Sequence, residues 1–216
     1  MKKAAVECIG TFFLVLTIGL VVSANQPAGV LAIGFVLMAL VYMGGPISGA
    51  HYNPAVTAAA WVAKKIDATE SISYIVSQLI GSIAASVTCH FLVGSPFAVT
   101  PTAPPEKALA AELLFTFALV SVILQVACSK RSAGNSYFGL AIGATIVAAA
   151  YAIGGVSGGA LNPAVGIGPN LVSAVFAPNG GKNPLQHVWL YIVGPVAGAV
   201  LAGLLFNWLE SEKKSQ

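Results

Sequence analysis

Long hydrophobic stretches alternate with short polar segments along the chain. Six of the stretches approach the ~20 residues that an α-helix needs to cross a bilayer. The predicted spans are residues 4–24, 28–45, 71–93, 107–128, 137–154 and 186–209. Because lipid cannot satisfy backbone polar groups, we expect each span to be a helix.

Two shorter apolar runs follow asparagine. The first covers residues 54–62, and the run after Asn162 is similar. About ten helical residues extend about 15 Å, which is half of a ~30 Å bilayer core. Asparagine is a favourable N-cap, and proline is well tolerated at the first helical position. The sequence therefore predicts two re-entrant half-helices, capped by Asn53 and Asn162, whose positive ends face each other at mid-membrane.

Glycine-rich segments precede both half-helices, at residues 44–49 and 154–159. We expect these segments to be non-helical. Non-helical backbone at membrane depth is tolerated where it lines a cavity. Its carbonyl oxygens would then offer hydrogen-bond acceptors to a permeating molecule.

The two halves of the chain share an ordered series of residues. Asn53-Pro54-Ala55-Val56 recurs 109 positions later as Asn162-Pro163-Ala164-Val165. Other matched residues, in the same order, are Glu7 and Glu112, Ser48-Gly49 and Ser157-Gly158, Tyr74 and Tyr191, and Gly81 and Gly198. Each half has an odd number of spans, so the second half enters the membrane from the opposite side. The sequence thus predicts one domain over residues 1–216, built from inverted repeats at about 1–95 and 106–212.

Charged residues are scarce and unevenly distributed. They make up 8% of the chain, against about 25% in a typical soluble domain. Eight basic residues fall on one side of a six-span arrangement: Lys2, Lys3, Lys64, Lys65, Lys130, Arg131, Lys213 and Lys214. The other side has Lys107 and Lys182. The positive-inside rule predicts cytoplasmic termini in a cell inner or plasma membrane, and the scattered charge predicts no nucleic-acid partner.

Residues around the two Asn-Pro-Ala motifs follow a known family pattern. They are Ser48-Gly49-Ala50-His51 before the first motif, Gln78 and Gly81 in the third span, and Tyr191, Gly194, Pro195 and Gly198 in the sixth. With the paired motifs, they resemble the aquaporin and glycerol-facilitator family, the major intrinsic proteins, over essentially the whole chain. The resemblance implies an all-α membrane protein with six spanning helices and two half-helices. It also implies one pore per subunit, a homotetramer, and passive conduction of water or small neutral solutes.

The resemblance also implies a constriction near the outer mouth of the pore. Its four positions, counted from the motifs, are Ile33, Ala150, Gly159 and Val165. The last is normally an arginine in the family, and this chain has valine there. Alanine and glycine widen such a ring, and its apolar side chains are less hostile to carbon backbones. A narrow ring would resist wetting, whereas a wide one would admit molecules the size of polyols.

Two carboxylates lie within predicted spans, Glu7 in the first and Glu112 in the fourth. Buried membrane carboxylates are costly and usually functional. A proton relay is one role. Acceptance of hydrogen bonds from the broken loops is the other, which their symmetric placement and the resemblance both favour. We expect His51 to be a hydrogen-bonded loop residue rather than a proton shuttle.

The leading interpretation is a passive channel for water and small uncharged solutes such as glycerol, with ions excluded mainly at the two Asn-Pro-Ala motifs. A channel for ammonia, hydrogen peroxide or dissolved gas is an alternative, as is a poorly conducting structural tetramer. An ion channel is permitted by the missing arginine but lacks a charged ring. The sequence has no nucleophile–base pair, nucleotide loop or metal cluster, so no enzyme activity, cofactor or metal is expected.

Overall fold

The computed structural model describes residues 1–26, 28–177 and 183–211. The α-helices in these ranges are α1 (Lys2–Ser23), α2 (Gly29–Ser48), α3 (Pro54–Val62), α4 (Ala68–Val93), α5 (Pro105–Ile123), α6 (Phe138–Ser157), α7 (Pro163–Phe176) and α8 (Leu190–Ser211). A π-helical turn, Leu124–Cys128, continues α5, and a 3-10 turn follows at Lys130–Ser132. Lys182, Lys213 and Lys214 of the predicted charge pattern lie outside the described residues.

Six of the helices are long and apolar enough to cross a membrane: α1, α2, α4, α5 with its π-helical turn, α6 and α8. They contain between 20 and 26 residues, which matches the thickness of a bilayer core. The predicted all-α membrane fold with six spans is therefore confirmed. The predicted ends shift by a few residues; the sixth span, for example, begins at Leu190 rather than at residue 186.

Local signals delimit the helices in the expected way. Asp67 caps α4, because its side chain accepts a hydrogen bond from the Glu70 amide at 2.8 Å. Gly94 ends the same helix in the left-handed conformation, with φ 77°. An acidic cap at the start and a left-handed glycine at the end are the usual means of satisfying terminal backbone groups.

The prediction of non-helical backbone before each half-helix was wrong for most of its length. α2 continues through Pro46 to Ser48, and α6 continues to Ser157. The chain leaves the helical conformation at Gly49 and Gly158, with φ 88° and 91°. Proline in the last turn removes one backbone donor, which a membrane helix tolerates. The left-handed glycine, not the glycine-rich composition, therefore ends each helix.

The two half-helices differ in length. α3 has 9 residues, as the first apolar run predicted, whereas α7 has 14 and continues past Pro169. At 1.5 Å per residue, these lengths correspond to about 14 Å and about 21 Å. The expected similarity of the two runs is therefore wrong for length, although both begin directly after asparagine.

Close helix contacts repeat between the halves. A Cβ atom on Gly81 of α4 would clash with the backbone carbonyl of Cys8 on α1, and one on Gly198 of α8 would clash with that of Leu113 on α5. Glycine at these points lets the backbones approach closely, as small residues do between membrane helices. α2 and α6 pack against each other at Gly34 and Gly143 and so join the halves. This packing surrounds the two half-helices with long helices.

Candidate functional site

Two short loops connect long helices to half-helices. The first loop, residues 49–53, links α2 to α3, and the second loop, residues 158–162, links α6 to α7. Left-handed residues and their φ values are Gly49 88°, Ala50 52° and Tyr52 51° in the first loop, and Gly158 91°, Gly159 65° and Leu161 50° in the second. Such backbone is strained for residues other than glycine and persists where the surroundings hold it in place.

Asparagine caps each half-helix. The Asn53 side-chain oxygen accepts a hydrogen bond from the Ala55 amide at 2.8 Å, and that of Asn162 accepts one from the Ala164 amide at 2.9 Å. Proline follows at the first helical position in both cases. The prediction that Asn53 and Asn162 cap two half-helices is therefore confirmed.

The two caps are bonded across the halves of the molecule. Asn53 Nδ2 donates to the carbonyl oxygen of Leu161, and Asn162 Nδ2 donates to that of Tyr52, both at 2.9 Å. This reciprocal pair brings the N-termini of α3 and α7 together. Each side-chain amide has two N–H groups, so each asparagine keeps one donor for a molecule beside it.

Glu7 of α1 holds the first loop. It is fully buried. Its Oε1 accepts hydrogen bonds from Ser48 Oγ at 2.6 Å and the His51 amide at 3.0 Å. Its Oε2 accepts them from the Tyr52 amide at 2.7 Å and Gln78 Nε2 at 2.9 Å. The two amide bonds hold the loop backbone in its strained conformation, and the two side-chain bonds tie Glu7 to α2 and α4.

Glu112 of α5 holds the second loop with the same geometry. Its Oε1 accepts hydrogen bonds from Ser157 Oγ at 2.7 Å and the Ala160 amide at 3.0 Å. Its Oε2 accepts one from the Leu161 amide at 2.7 Å. The two glutamates thus lie under the loops as hydrogen-bond acceptors, the arrangement that the structural interpretation of the sequence requires.

A tyrosine completes each loop anchor. Tyr74 Oη donates to the Ser48 carbonyl at 2.7 Å, and Tyr191 Oη donates to the Ser157 carbonyl at 2.6 Å. Both rings are buried. The phenol groups therefore satisfy carbonyls at the ends of α2 and α6, where helix termini leave acceptors unpaired.

His51 belongs to a polar cluster beside the first loop. Thr57 Oγ1 donates to the Asn53 carbonyl at 3.1 Å and accepts from Gln78 Nε2 at 3.0 Å. The imidazole Nδ1 of His51 lies 3.1 Å from Thr57 Oγ1, within hydrogen-bond distance. His51 is therefore a hydrogen-bonded loop residue, half-buried at the wall of the cavity described next.

Residues of both loops line one cavity of about 1000 Å³. Lys3 lines it at one end of α1, and Asn25 and Gln26 line it beyond the other end. Because the 22 residues of α1 extend about 33 Å, the cavity runs through the thickness of the fold. Asn53 and Asn162 both line it, so the cavity passes the two caps.

Charge is confined to one end of the cavity. The charged residues among its described lining are Lys3, Lys65, Glu70 and Lys130. Lys3 pairs with Glu70 at 2.7 Å, and Lys65 Nζ donates to the Cys128 carbonyl at 3.1 Å. The rest of the described lining consists of aliphatic side chains, small residues and neutral polar groups.

All four residues of the predicted constriction line this cavity. Gly159 lies next to Ala150, since a Cβ atom on Gly159 would be 3.6 Å from the Ala150 Cα atom. Val165 is 3% exposed and packs in an apolar cluster with Val15, Phe97 and Val99. Ile33 is half-buried against the cluster that contains Leu37 and Ile142. Small and aliphatic groups thus surround this part of the cavity.

Sequence reasoning assigned no role to Gln78 or Thr57, which both belong to the anchor of the first loop. Gln78 matched only a family pattern, and Thr57 was one of many small residues in an apolar run. No spacing rule connects a residue in α3 with one in α4. The signal available was the presence of a glutamine in the middle of a 26-residue span, where a buried amide needs partners.

Comparisons with known proteins agree with this geometry. The profile of the family described as "Major intrinsic protein" matches residues 1–206. The glycerol uptake facilitator protein-like 6 of Lactiplantibacillus plantarum is 37% identical over 98% of this chain and 100% of its own length. Aquaporin AqpM of Methanothermobacter thermautotrophicus is 35% identical over 98% of both chains.

A solved structure has the same fold. The aquaglyceroporin from Plasmodium falciparum superposes with a TM-score of 0.82 at 23% identity, over 95% of each chain. Members of the matched family are passive channels and not enzymes. The chain therefore belongs to the major intrinsic protein family, as an integral membrane channel for water and small solutes.

Proposed function

We propose that this chain passively conducts water and small uncharged solutes such as glycerol through the cavity between its two loops. The observation that carries the proposal is the pair of half-helix caps in the cavity wall. Asn53 and Asn162 are fixed by reciprocal bonds and keep amide donors for a passing molecule. A molecule that loses hydration in the cavity regains hydrogen bonds there.

The proposed selectivity filter consists of Ile33, Ala150, Gly159 and Val165. It offers apolar surface and little side-chain volume on the α6 side, where Gly159 lies next to Ala150. An apolar wall favours the CH groups of a polyol, and the loop carbonyls can accept hydrogen bonds from its hydroxyl groups. This arrangement supports glycerol-sized solutes as well as water.

Ion exclusion is proposed to occur at the paired caps rather than at the filter. Each helix N-terminus carries roughly half a positive charge, and two of them meet at Asn53 and Asn162. An ion that passes the apolar filter also loses hydration without a charged partner. Both effects act against cations and protons and leave neutral molecules unaffected.

Water and glycerol are preferred over ammonia, hydrogen peroxide and dissolved gas as the permeating molecules. The names of two relatives, a glycerol uptake facilitator protein and an aquaporin, support this choice. A poorly conducting structural tetramer is not favoured, because a cavity runs through the single chain.

The orientation and assembly are part of the same proposal. We infer that both termini are cytoplasmic, because Lys3, Lys65 and Lys130 line the same end of the cavity and basic residues concentrate on the inner side of membranes. The proposed location is a cell inner or plasma membrane. The proposed assembly is a homotetramer with one pore in each subunit.

Stopped-flow light scattering after a glycerol jump tests the proposal. Liposomes with the protein should shrink faster than empty liposomes as water leaves, and then reswell faster as glycerol enters. Val165→Arg, which adds volume and charge to the filter, should slow reswelling more than shrinkage. Reswelling at the rate of empty liposomes would contradict glycerol conduction, and unaccelerated shrinkage as well would contradict the channel itself.

A further inference from the structure

We propose that Asn170 is a positioning residue for selectivity, because it holds residues 97–100 against the filter. These residues, here called the outer segment, belong to the connection between α4 and α5. The inference deepens the proposed function and rests on it. It assigns a role in solute choice to a residue outside both Asn-Pro-Ala motifs and outside the four filter positions.

Asn170 is a fully buried amide in the half-helix α7. Its Oδ1 accepts a hydrogen bond from the Val99 amide at 2.7 Å. Its Nδ2 donates to the Val99 carbonyl at 2.9 Å and to the Pro184 carbonyl at 3.0 Å. Every one of these partners is a backbone group, so the side chain fixes where the outer segment lies rather than which side chains it carries.

The outer segment is part of the cavity wall. All four of its residues line the cavity. Phe97 and Val99 pack in the same apolar cluster as Val165. A Cβ atom on Gly158 would lie 2.8 Å from Val99 Cγ1, so Val99 packs closely against the second loop. This contact is one residue before the filter residue Gly159. The segment thus forms a wall of the constriction in addition to the four filter residues.

Other anchors of this connection begin further along the chain. The amides of Thr102 and Ala103 donate to the Val156 carbonyl at 3.1 and 3.0 Å, and Thr102 Oγ1 donates to Gly155. These bonds attach the connection to the end of α6. Asn170 bonds both backbone polar groups of Val99 itself, so it controls the part of the connection that touches the filter.

The wall has no regular secondary structure of its own between residues 96 and 101. Segments without a hydrogen-bonded ladder depend on individual anchors for their position. The filter residues at this constriction are aliphatic or small. Packing of apolar groups, rather than a charged side chain, therefore sets the width of the pore there. Release of the segment should therefore admit larger solutes with little change for water.

The experiment compares permeability ratios in liposomes. Asn170→Ala should raise the ratio of erythritol to water permeability by about threefold or more, at equal protein density. The matched control is Asn207→Ala, which removes a half-buried side-chain hydrogen bond to the Val62 carbonyl, 2.9 Å long, between α8 and α3. Neither Asn207 nor Val62 is among the described lining residues of the cavity, so the control should leave the ratio unchanged.

A double-mutant cycle with Val99→Ala tests whether Asn170 acts through the wall. Val99→Ala alone should raise the ratio, and Asn170→Ala should add little in that background, because coupled residues are not additive. Fully additive effects would overturn the inference, as would an Asn170→Ala ratio equal to that of the wild type or of Asn207→Ala. If Asn170→Ala does not fold, Asn170→Asp replaces it, since it keeps the acceptor for the Val99 amide and loses both donors. An unchanged ratio in this variant would overturn the inference too.

The wild-type protein separates the two proposals. If it conducts water and glycerol but Asn170→Ala and Val99→Ala do not change the ratio, the positioning role fails and the proposed function stands. If it conducts neither, the proposed function fails and takes the positioning role with it.

Discussion

The two loops have the same backbone geometry but are held by different chemistry. Glu7 accepts four hydrogen bonds under the first loop, and Glu112 accepts three under the second. The additional bond comes from Gln78, whose repeat mate is Pro195. Thr57 and His51 extend the first network, and their repeat mates, Gly166 and Ala160, have no polar side chain.

Close packing replaces the polar network at the second loop. A Cβ atom on Gly166 would clash with Tyr191, so α7 and α8 approach closely where Thr57 stands in the first half. Val99 of the outer segment also packs closely against the second loop. A strained loop in a membrane can therefore be fixed by buried hydrogen bonds or by tight contacts, and the carboxylate with its serine and tyrosine is the part that both solutions share.

The largest expected effect is that of Glu7→Ala. It leaves two loop amides, a hydroxyl and a side-chain amide without their acceptor, and should lower the free energy of unfolding by about 3–5 kcal/mol. Glu112→Ala should lower the free energy of unfolding by about 1 kcal/mol less than Glu7→Ala, because one fewer donor loses its acceptor. Thermal unfolding of the purified protein in detergent measures both. An equal or larger loss for Glu112→Ala would remove the proposed difference between the loops.

Alanine at the two helix-packing glycines should affect both halves equally. Gly81→Ala and Gly198→Ala each place a methyl group against a backbone carbonyl, and overpacking of this kind costs about 1–3 kcal/mol. The same unfolding assay should give the two variants similar losses. A difference as large as that between the two glutamate variants would show that the asymmetry extends beyond the loops.

Gln78→Leu isolates the additional bond of the first network. It reduces the hydrogen-bond partners of Glu7 to three and removes the donor to Thr57. It should therefore lower the free energy of unfolding by about 1–2 kcal/mol. Thr57→Val is the partner variant. The pair should be less than additive in a double-mutant cycle, since the two side chains share a bond of 3.0 Å. Additive losses would mean that Gln78 acts by packing rather than through the network.

Lys3→Ala should have the smallest effect. Lys3 pairs with Glu70 at the edge of the first network, where Glu70 Oε1 lies 3.3 Å from Tyr74 Oη. The lysine side chain is 56% exposed, and exposed ion pairs contribute about 0–1 kcal/mol. Thermal unfolding at low and high salt measures the contribution of this pair to the free energy of unfolding. The loss caused by Lys3→Ala should be smaller at high salt. A loss above that of Gln78→Leu would contradict this ranking.

The symmetric features of the site could be predicted from the sequence. The repeat of Asn-Pro-Ala-Val, together with the capping preference of asparagine, indicated both half-helices, and the paired glutamates indicated both loop anchors. These features depend on residues close to one another in the chain or repeated at a constant shift. The π-helical turn after Ile123 and the continuation of α2 through Pro46 had no such signal, because tertiary packing decides whether a helix tolerates a proline or an extra residue.

The asymmetric features could not be predicted, since each joins distant segments through one side chain. Asn170 and Val99 are 71 positions apart, and Gln78 and Thr57 are 21 apart. Neither Asn170 in α7 nor Gln78 in α4 belongs to a periodic pattern. A buried amide in an apolar helix indicates that a partner exists, but the fold alone identifies the partner.

Proton flux measured beside water flux tests whether the paired caps exclude ions from a water-conducting pore. Liposomes with a trapped pH-sensitive dye report proton entry after an acid jump, and light scattering on the same preparation reports water. We expect accelerated water flux with proton flux equal to that of empty liposomes, because the facing half-helix N-termini at Asn53 and Asn162 exclude cations although Val165 replaces the usual arginine. Proton flux that rises with protein density in parallel with water flux would contradict it.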